Sequence, residues 1–163
     1  IYAQDDTRRA MEVIAHELEQ ASLGSINTAQ LPGQTITYRK ATDVDGNGTA
    51  VDAGIRLELG PVCTISRDTA DVNQDGQTTT QLVLVQGTSV RVLANRLRSN
   101  EDTNGNGVLD AGEDTNVNGR LDLGLLFQTR GSGIVVTVQT QRRAEARTRL
   151  LMSDLQEFVV PRN

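Results

Sequence analysis

A chain of 163 residues fits one domain with its own core, and with only Tyr2, Tyr38, Phe127 and Phe158 as aromatics that core must be built from Leu, Val, Ile and Ala. The formal charge is -5 and the excess acid sits in the middle: residues 43–125 hold 13 acids against 6 bases, while residues 126–163 hold 3 against 6. An acidic centre without stacking aromatics argues against nucleic acid as a partner, and a single cysteine, Cys63, excludes an internal disulfide and a paired-cysteine metal site.

The chain opens Ile-Tyr-Ala without Met. No stretch reaches the roughly 18 apolar residues of a spanning helix, and no signal peptide is visible. The opening is what a cut inside a longer helix would leave, so a missing upstream segment is expected.

Residues 5–23 predict a helix. Met11, Ile14, Ala15, Leu18, Ala21 and Ser22 recur at spacings of three, four and seven and make one stripe. Asp5 and Asp6 suit a first turn, Gly24 suits a stop, and Pro32-Gly33 marks the turn that follows. Residues 35–141 read as strands and turns. Short runs at 35–39, 55–59, 61–66, 81–85, 89–93, 121–128 and 134–140 predict strands, the clearest being Leu121, Leu123, Leu125 and Phe127 in alternation. Val62 and Ile65 suggest that Cys63 is buried and inert. In the tail, 142–163, Leu150, Leu151, Leu155, Phe158 and Val159 can line a helix, but Val159-Val160-Pro161 looks extended; a final strand is expected near 155–161. The expected fold is α+β: a long N-terminal helix (1–24) packed on antiparallel sheet, in one domain over 1–163, with acidic loops inserted between strands.

Those loops carry the chemistry. Residues 102–113 read Asp-Thr-Asn-Gly-Asn-Gly-Val-Leu-Asp-Ala-Gly-Glu. Set on the twelve-residue calcium loop, Asp102, Asn104 and Asn106 fill positions one, three and five. Gly107 takes the sharp turn, Val108 offers its carbonyl, Asp110 holds position nine and Glu113 the bidentate twelfth. Calcium wants six to eight oxygens, and alternate residues of a curled loop point inward. Asp114, Asn116, Asn118, Gly119, Arg120 and Asp122 then repeat the pattern through position nine, with Arg120 in the place of Val108, but the twelfth residue is Leu125. The two loops abut without intervening helices, unlike an EF-hand pair, and sharing of Glu113 or Asp110 is one way to complete the second. Six acids against the single Arg120 in residues 101–122 would repel one another without a cation. Shorter versions are Asp43, Asp45, Asn47 and Gly48 followed by Asp52, and Asp71, Asn73, Asp75 and Gly76 followed by Thr79. Each reads equally as a hairpin turn, because turns favour the same residues.

The usual catalytic sets are missing. His16 is the only histidine, and its His-Glu-Leu-Glu-Gln context lacks the second histidine of a zinc helix. One histidine and one cysteine make nucleophile–base pairs hard to assemble. No phosphate-binding glycine loop or Gly-x-Ser-x-Gly elbow occurs. Arg142, Arg143, Arg147 and Arg149 form a basic run, read as a solvated face or a docking surface. A non-catalytic protein is expected.

Tyr2-Ala-Gln-Asp-Asp-Thr-Arg-Arg-Ala, followed by Ile14, Glu17-Leu18 and Ala21, resembles the segment just after the membrane span in prepilin-like proteins. Ile36-Thr-Tyr-Arg, Val92-Leu-Ala-Asn-Arg-Leu, Leu126-Phe127, Val135-Val-Thr-Val138 and Pro161-Arg-Asn163 are, in this order, similar to minor pilins of the PilW type and to J-type pseudopilins of type II secretion. The resemblance implies an assembly subunit of a type IV pilus or pseudopilus. It would sit in the cell envelope, face the periplasm or exterior, and partner other pilin or pseudopilin subunits. Membrane contact would come only through a missing N-terminal helix. The loop at 102–122 is longer and more acidic than the family pattern. The alternative is a stand-alone calcium-dependent adhesion or docking module.

Overall fold

Helix α1 (Tyr2–Glu19) opens the chain in the computed structural model, which describes residues 2–143 and 150–162. The expected stripe is the buried face: Met11, Ile14, Ala15, Leu18 and Ala21 are buried, joined by Ala10 and by the Thr7 hydroxyl. His16 is exposed and bonds Gln20 one turn on. The helix ends before Gly24, and two short 3-10 turns (Leu23–Ser25 and Thr28–Gln30) lead to Pro32.

Among the described residues seven strands follow: β1 (Thr35–Tyr38), β2 (Cys63–Arg67), β3 (Leu82–Gln86), β4 (Ser89–Ala94), β5 (Leu125–Arg130), β6 (Gly133–Arg143) and β7 (Leu150–Val159). They form two antiparallel sheets, β1-β2-β3-β4 and β5-β6-β7. Alternation sets the inward faces. Ile36 opposes Ile65 and Tyr38 opposes Cys63 across β1 and β2, and Phe127 opposes Val136 across β5 and β6. All six are buried, so Cys63 is a core thiol. Burial pushes its pKa up, against a smaller lowering pull from Lys40.

The expectation of a long N-terminal helix lying on an antiparallel sheet is corrected. Among the described residues the one α-helix has 18 residues and accompanies two separate sheets. The physical reason is the acidic excursion between β4 and β5, which breaks the strand series in two. The helix stripe is consequently divided, touching β6 and β7 of one sheet and β4 of the other.

Local expectations also shift. Residues 55–59 form no strand: Ile55 is in the left-handed region at φ 59°, and only isolated bridges pair Leu57 with Val51 and Leu59 with Ala41. The alternation at 121–128 becomes a strand only from Leu125, because Leu123 and Gly124 turn their N–H groups to Gln139 Oε1. The last strand starts earlier than expected and ends at Val159, while Phe158 stays half exposed. Of the basic run, Arg142 and Arg143 fall in β6, and Arg147 and Arg149 lie outside the described residues.

Two polar clusters fasten the layers. Glu17 of α1 accepts from Tyr38 Oη (2.7 Å), Lys40 Nζ (2.9 Å) and Gln86 Nε2 (3.0 Å), which pins the helix to the first sheet. Arg67 of β2 donates to Gln34 Oε1 (2.8 Å) and to the carbonyls of Thr79, Arg98 and Leu123. Burial lowers its pKa. It thereby ties together the stems of two acidic loops. Gly124, at φ 71°, lies against Arg67 and the Arg98 carbonyl, where a Cβ has no room.

Candidate metal centre

Four acidic turns leave this frame: one between β1 and β2, one between β2 and β3, and two in series between β4 and β5. Each begins with an aspartate whose carboxylate collects backbone N–H groups. Asp102 accepts from Gly105, Asn106 and Gly107 (2.7, 3.1 and 2.9 Å). Asp43 accepts from Gly46, Asn47 and Gly48 (2.8, 3.1 and 2.8 Å). Asp114 accepts from Asn118 and Gly119, and Asp71 from Asp75 and Gly76. The fourth and sixth residues of every turn are left-handed: Gly46 and Gly48, Gln74 and Gly76, Gly105 and Gly107, Val117 and Gly119. Glycine suits that conformation; a branched Val does not. The same curl thus forms four times, twice with a non-glycine residue in the left-handed region, Gln74 and, at the greater steric cost, Val117.

The third and fifth side chains line each curl. Asn104 and Asn106 turn their Nδ2 groups to Asp110 Oδ2 (2.8 and 2.7 Å), and Asn116 and Asn118 do the same to Asp122 Oδ2 (2.7 and 3.0 Å). These N–H groups supply positive charge to the carboxylates. A half-turn of each amide would replace nitrogen by oxygen and convert donors into cation ligands. Val108 and Arg120, the expected carbonyl ligands, each give their N–H to the fifth-position Asn at 2.7 Å.

Glu113 closes the first curl. Its Oε1 accepts from Thr103 N (2.9 Å) and Thr103 Oγ1 (2.8 Å), and its Oε2 accepts from Asp110 N (3.0 Å). The second curl, which ends in Leu125 where a carboxylate was wanted, is closed in the same way from upstream. Glu101 Oε1 accepts from Thr115 N (3.0 Å) and Thr115 Oγ1 (2.7 Å), and Oε2 accepts from Asp122 N (3.2 Å). Thr115 and Asp122 are positions two and nine of that turn, as Thr103 and Asp110 are of the first. Neither Glu113 nor Asp110 is shared with the second turn through any of these bonds.

The turn at residue 43 has a visitor too. Glu58 Oε2 accepts from Val44 N at 2.6 Å, again position two. Asp43, Asp45 and Glu58 each bring one carboxylate oxygen within 4.8 Å of the others, so this trio could hold a metal. Asp52, expected to complete this turn, instead accepts from Gly54 N and Arg56 N in a turn of its own. Glu101 lies thirteen residues before Asp114, where the turn it closes begins, and Glu58 comes fifteen residues after Asp43. Neither falls inside the twelve-residue motif of the turn it reaches.

The charges are held by donors. Asp43 is kept below the usual carboxylate range chiefly by Gly48 N–H, Asp75 by the Gln81 amide, Asp110 by Asn104 and then Asn106, and Glu113 by Asp110 N–H and the Thr103 hydroxyl. Asp122 is different: it is 1% exposed, and its Oδ1 forms a 2.6 Å ion pair with Arg98, which also reaches Asp154 at 3.0 Å. Its position in the motif matches Asp110, but half of its carboxylate is already committed to a protein cation.

No family model, characterised protein or solved structure matches the chain. Among the described residues, no helix is long and apolar enough to cross a membrane.

Proposed function

We propose that this chain is a non-catalytic assembly subunit of the cell envelope whose acidic turns bind calcium, and that the ion fixes loops which dock neighbouring subunits. The observation that carries the calcium reading is the paired closure of residues 101–122. Two adjacent curls with oxygen-bearing side chains at positions one, three, five and nine each receive a buried glutamate on the same two backbone N–H groups. Calcium suits such sets of carboxylate, amide and carbonyl oxygens, while magnesium gives up its waters reluctantly.

The docking part is supported at the other end of the first sheet. The excursion between β1 and β2 exposes Val44, Val51, Ile55 and Leu57, and Ile55 is 89% exposed. The acidic trio sits at the root of this apolar display. An ion there would present these side chains on a fixed surface and lower the ordering cost of binding. Pilin or pseudopilin subunits as partners are supported by the ordered likeness of segments such as Val92-Leu-Ala-Asn-Arg-Leu and Val135-Val-Thr-Val138. A stand-alone calcium-dependent adhesion or docking module is the second reading. It is favoured by the division into two sheets, which departs from a helix lying on one sheet.

Affinity purification from envelope extracts, with and without chelator, tests the function. Recovery of pilin-like subunits that falls with chelator, and falls likewise in the Asp102→Ala/Glu113→Ala double variant, is expected. Equal recovery under all conditions leaves calcium no role in assembly. In the gene, a prepilin peptide and apolar span upstream of Ile1 would favour the filament subunit over the stand-alone module.

A further inference from the structure

The turn between β2 and β3 differs from the other three in what it leaves unbonded. Among the described residues, three buried side-chain polar atoms have no hydrogen-bond partner, and two of them belong to this turn: Asp68 Oδ2 and Asn73 Oδ1. Both are acceptors. Asp68 is 1% exposed, and its other oxygen accepts from Ala70 N (3.1 Å) and Val72 N (3.2 Å). Val72 is position two of the turn that starts at Asp71, so the Asp68 carboxylate meets that position as Glu113 and Glu101 do in their turns, while the position-nine N–H of Thr79 goes to the Asp68 main-chain carbonyl. A buried carboxylate oxygen without a donor is costly, and so is a buried amide oxygen.

The amide side of Asn73 is fully used. Its Nδ2 donates to Asp75 Oδ2 (3.0 Å) and to Gln81 Oε1 (3.2 Å), while Gln81 Nε2 donates to Asp75 Oδ2 (2.8 Å) and Asn95 Oδ1 (2.9 Å). Gln81 is 2% exposed and holds Asn73 with its oxygen turned away from these donors. In the turns at 102 and 114 the third-position oxygen accepts the fifth-position N–H. Here Asp75 N goes to Asp71 instead, at 2.9 Å, and Asn73 Oδ1 is left over. Two unbonded acceptors, Asp68 Oδ2 just before the curl and Asn73 Oδ1 on it, leave this connection short of positive charge that a cation would supply, although Asp68, Asp71 and Asp75 do not bring their carboxylate oxygens as close together as Asp43, Asp45 and Glu58 do.

We propose that residues 68–75 form a calcium site separate from that of residues 101–122, with Asp68 as its upstream carboxylate and Asp71, Asn73 and Asp75 as its loop ligands. The proposal rests on the calcium reading above for its choice of ion, but not for its location. The site lies beside the paired turns, because Arg67 binds the Thr79 carbonyl on one side and the Arg98 and Leu123 carbonyls on the other. Its ion would order the β2–β3 connection and, through that arginine, the stem of the larger loop.

Backbone amide NMR of the chelator-treated protein, titrated with calcium chloride, tests it residue by residue. Saturable shifts at the amides of Val72, Asp75 and Gly76 are expected, distinct from those of Thr103 and Thr115. Asp68→Asn, which keeps an acceptor for Ala70 and Val72, should weaken the first set by about tenfold or more and leave the second set alone. Shifts at 103 and 115 with none at 72–76 up to millimolar calcium would overturn this site and leave the calcium reading intact. Shifts at 72–76 alone would establish this site and sink the paired-turn reading. Because the wild-type titration is decisive by itself, poor folding of Asp68→Asn would not rescue the proposal.

Discussion

The abutting turns at 102–113 and 114–122 share residue types, left-handed positions and hydrogen-bond pattern, yet they are anchored differently. The first is closed by its own last residue, Glu113, and its Asp110 is exposed. The second is closed by Glu101 from before the first turn, and its Asp122 is buried against Arg98. One turn is a self-contained loop. The other is stitched into the protein core. A motif therefore specifies the curl of the backbone, while the burial around it decides whether a given aspartate faces solvent, as Asp110 does, or pairs with an arginine of the same chain, as Asp122 does.

The largest effect that would break the comparison is at position nine. Asp122→Ala leaves Arg98 with only its partly exposed partner Asp154, and breaking a buried pair in this way costs about 3–5 kcal/mol. Urea denaturation should show that loss even without calcium. Asp110→Ala should leave the calcium-free midpoint nearly unchanged, since no buried pair is lost. Equal midpoints for the two variants would erase the distinction.

Next comes the closing glutamate. Glu101→Gln removes the charge from a buried side chain that accepts three hydrogen bonds, and should destabilise the calcium-free protein by about 1–3 kcal/mol. With calcium present, the variant should lose the ion of the second turn and keep that of the first. Glu113→Gln should do the reverse. Site-resolved metal titration separates them, and loss of both ions from either change would mean that one shared site exists.

A smaller effect lies at position four, where the first turn has Gly105 and the second Val117, both left-handed. Val117→Gly should stabilise by up to about 1 kcal/mol, because strain is relieved despite the added chain freedom. Gly105→Val should cost about 1–2 kcal/mol. Thermal melts of the pair should move in opposite directions.

The smallest concerns acid. Asp110 and Glu113 are held below the ordinary carboxylate range by hydrogen-bond donors. Their contribution is complete above the unfolded pKa values, about 4, and is lost only as pH falls through the lowered folded ones. The midpoint of wild type should therefore gain nothing from these groups between pH 8 and 6 and fall below pH 4. A difference between wild type and Asp110→Asn that grows toward pH 8 would contradict this sign.

How much of this could be read from the residues alone follows from range. The helix stripe Met11, Ile14 and Leu18 and the alternation in β1, β2 and β6 are local periodicities, and they were legible. So was the curl of residues 102–113, because the residues that shape it follow one another in the chain. Glu58, Asp68 and Glu101 were not assigned, since each reaches its turn from outside the twelve-residue pattern and is placed by backbone hydrogen bonds to a distant segment, Glu58 with Thr42, Asp68 with Gln81 and Glu101 with Asp122. The split into two sheets was hidden for the same reason: Leu121 and Leu123 alternate as strand residues do, but the Gln139 amide captures the backbone before Leu125. Ile55 and Leu57 look like core and are instead displayed on an excursion.

Calorimetric titration of the chelator-treated protein with calcium tests the central claim most directly. The account predicts saturable binding of more than one ion with Kd on the order of 10⁻⁴–10⁻³ M, and much weaker heats with magnesium. Absence of any calcium-dependent heat at millimolar concentrations would contradict it, and the acidic turns would then be hydrogen-bonded loops without a metal.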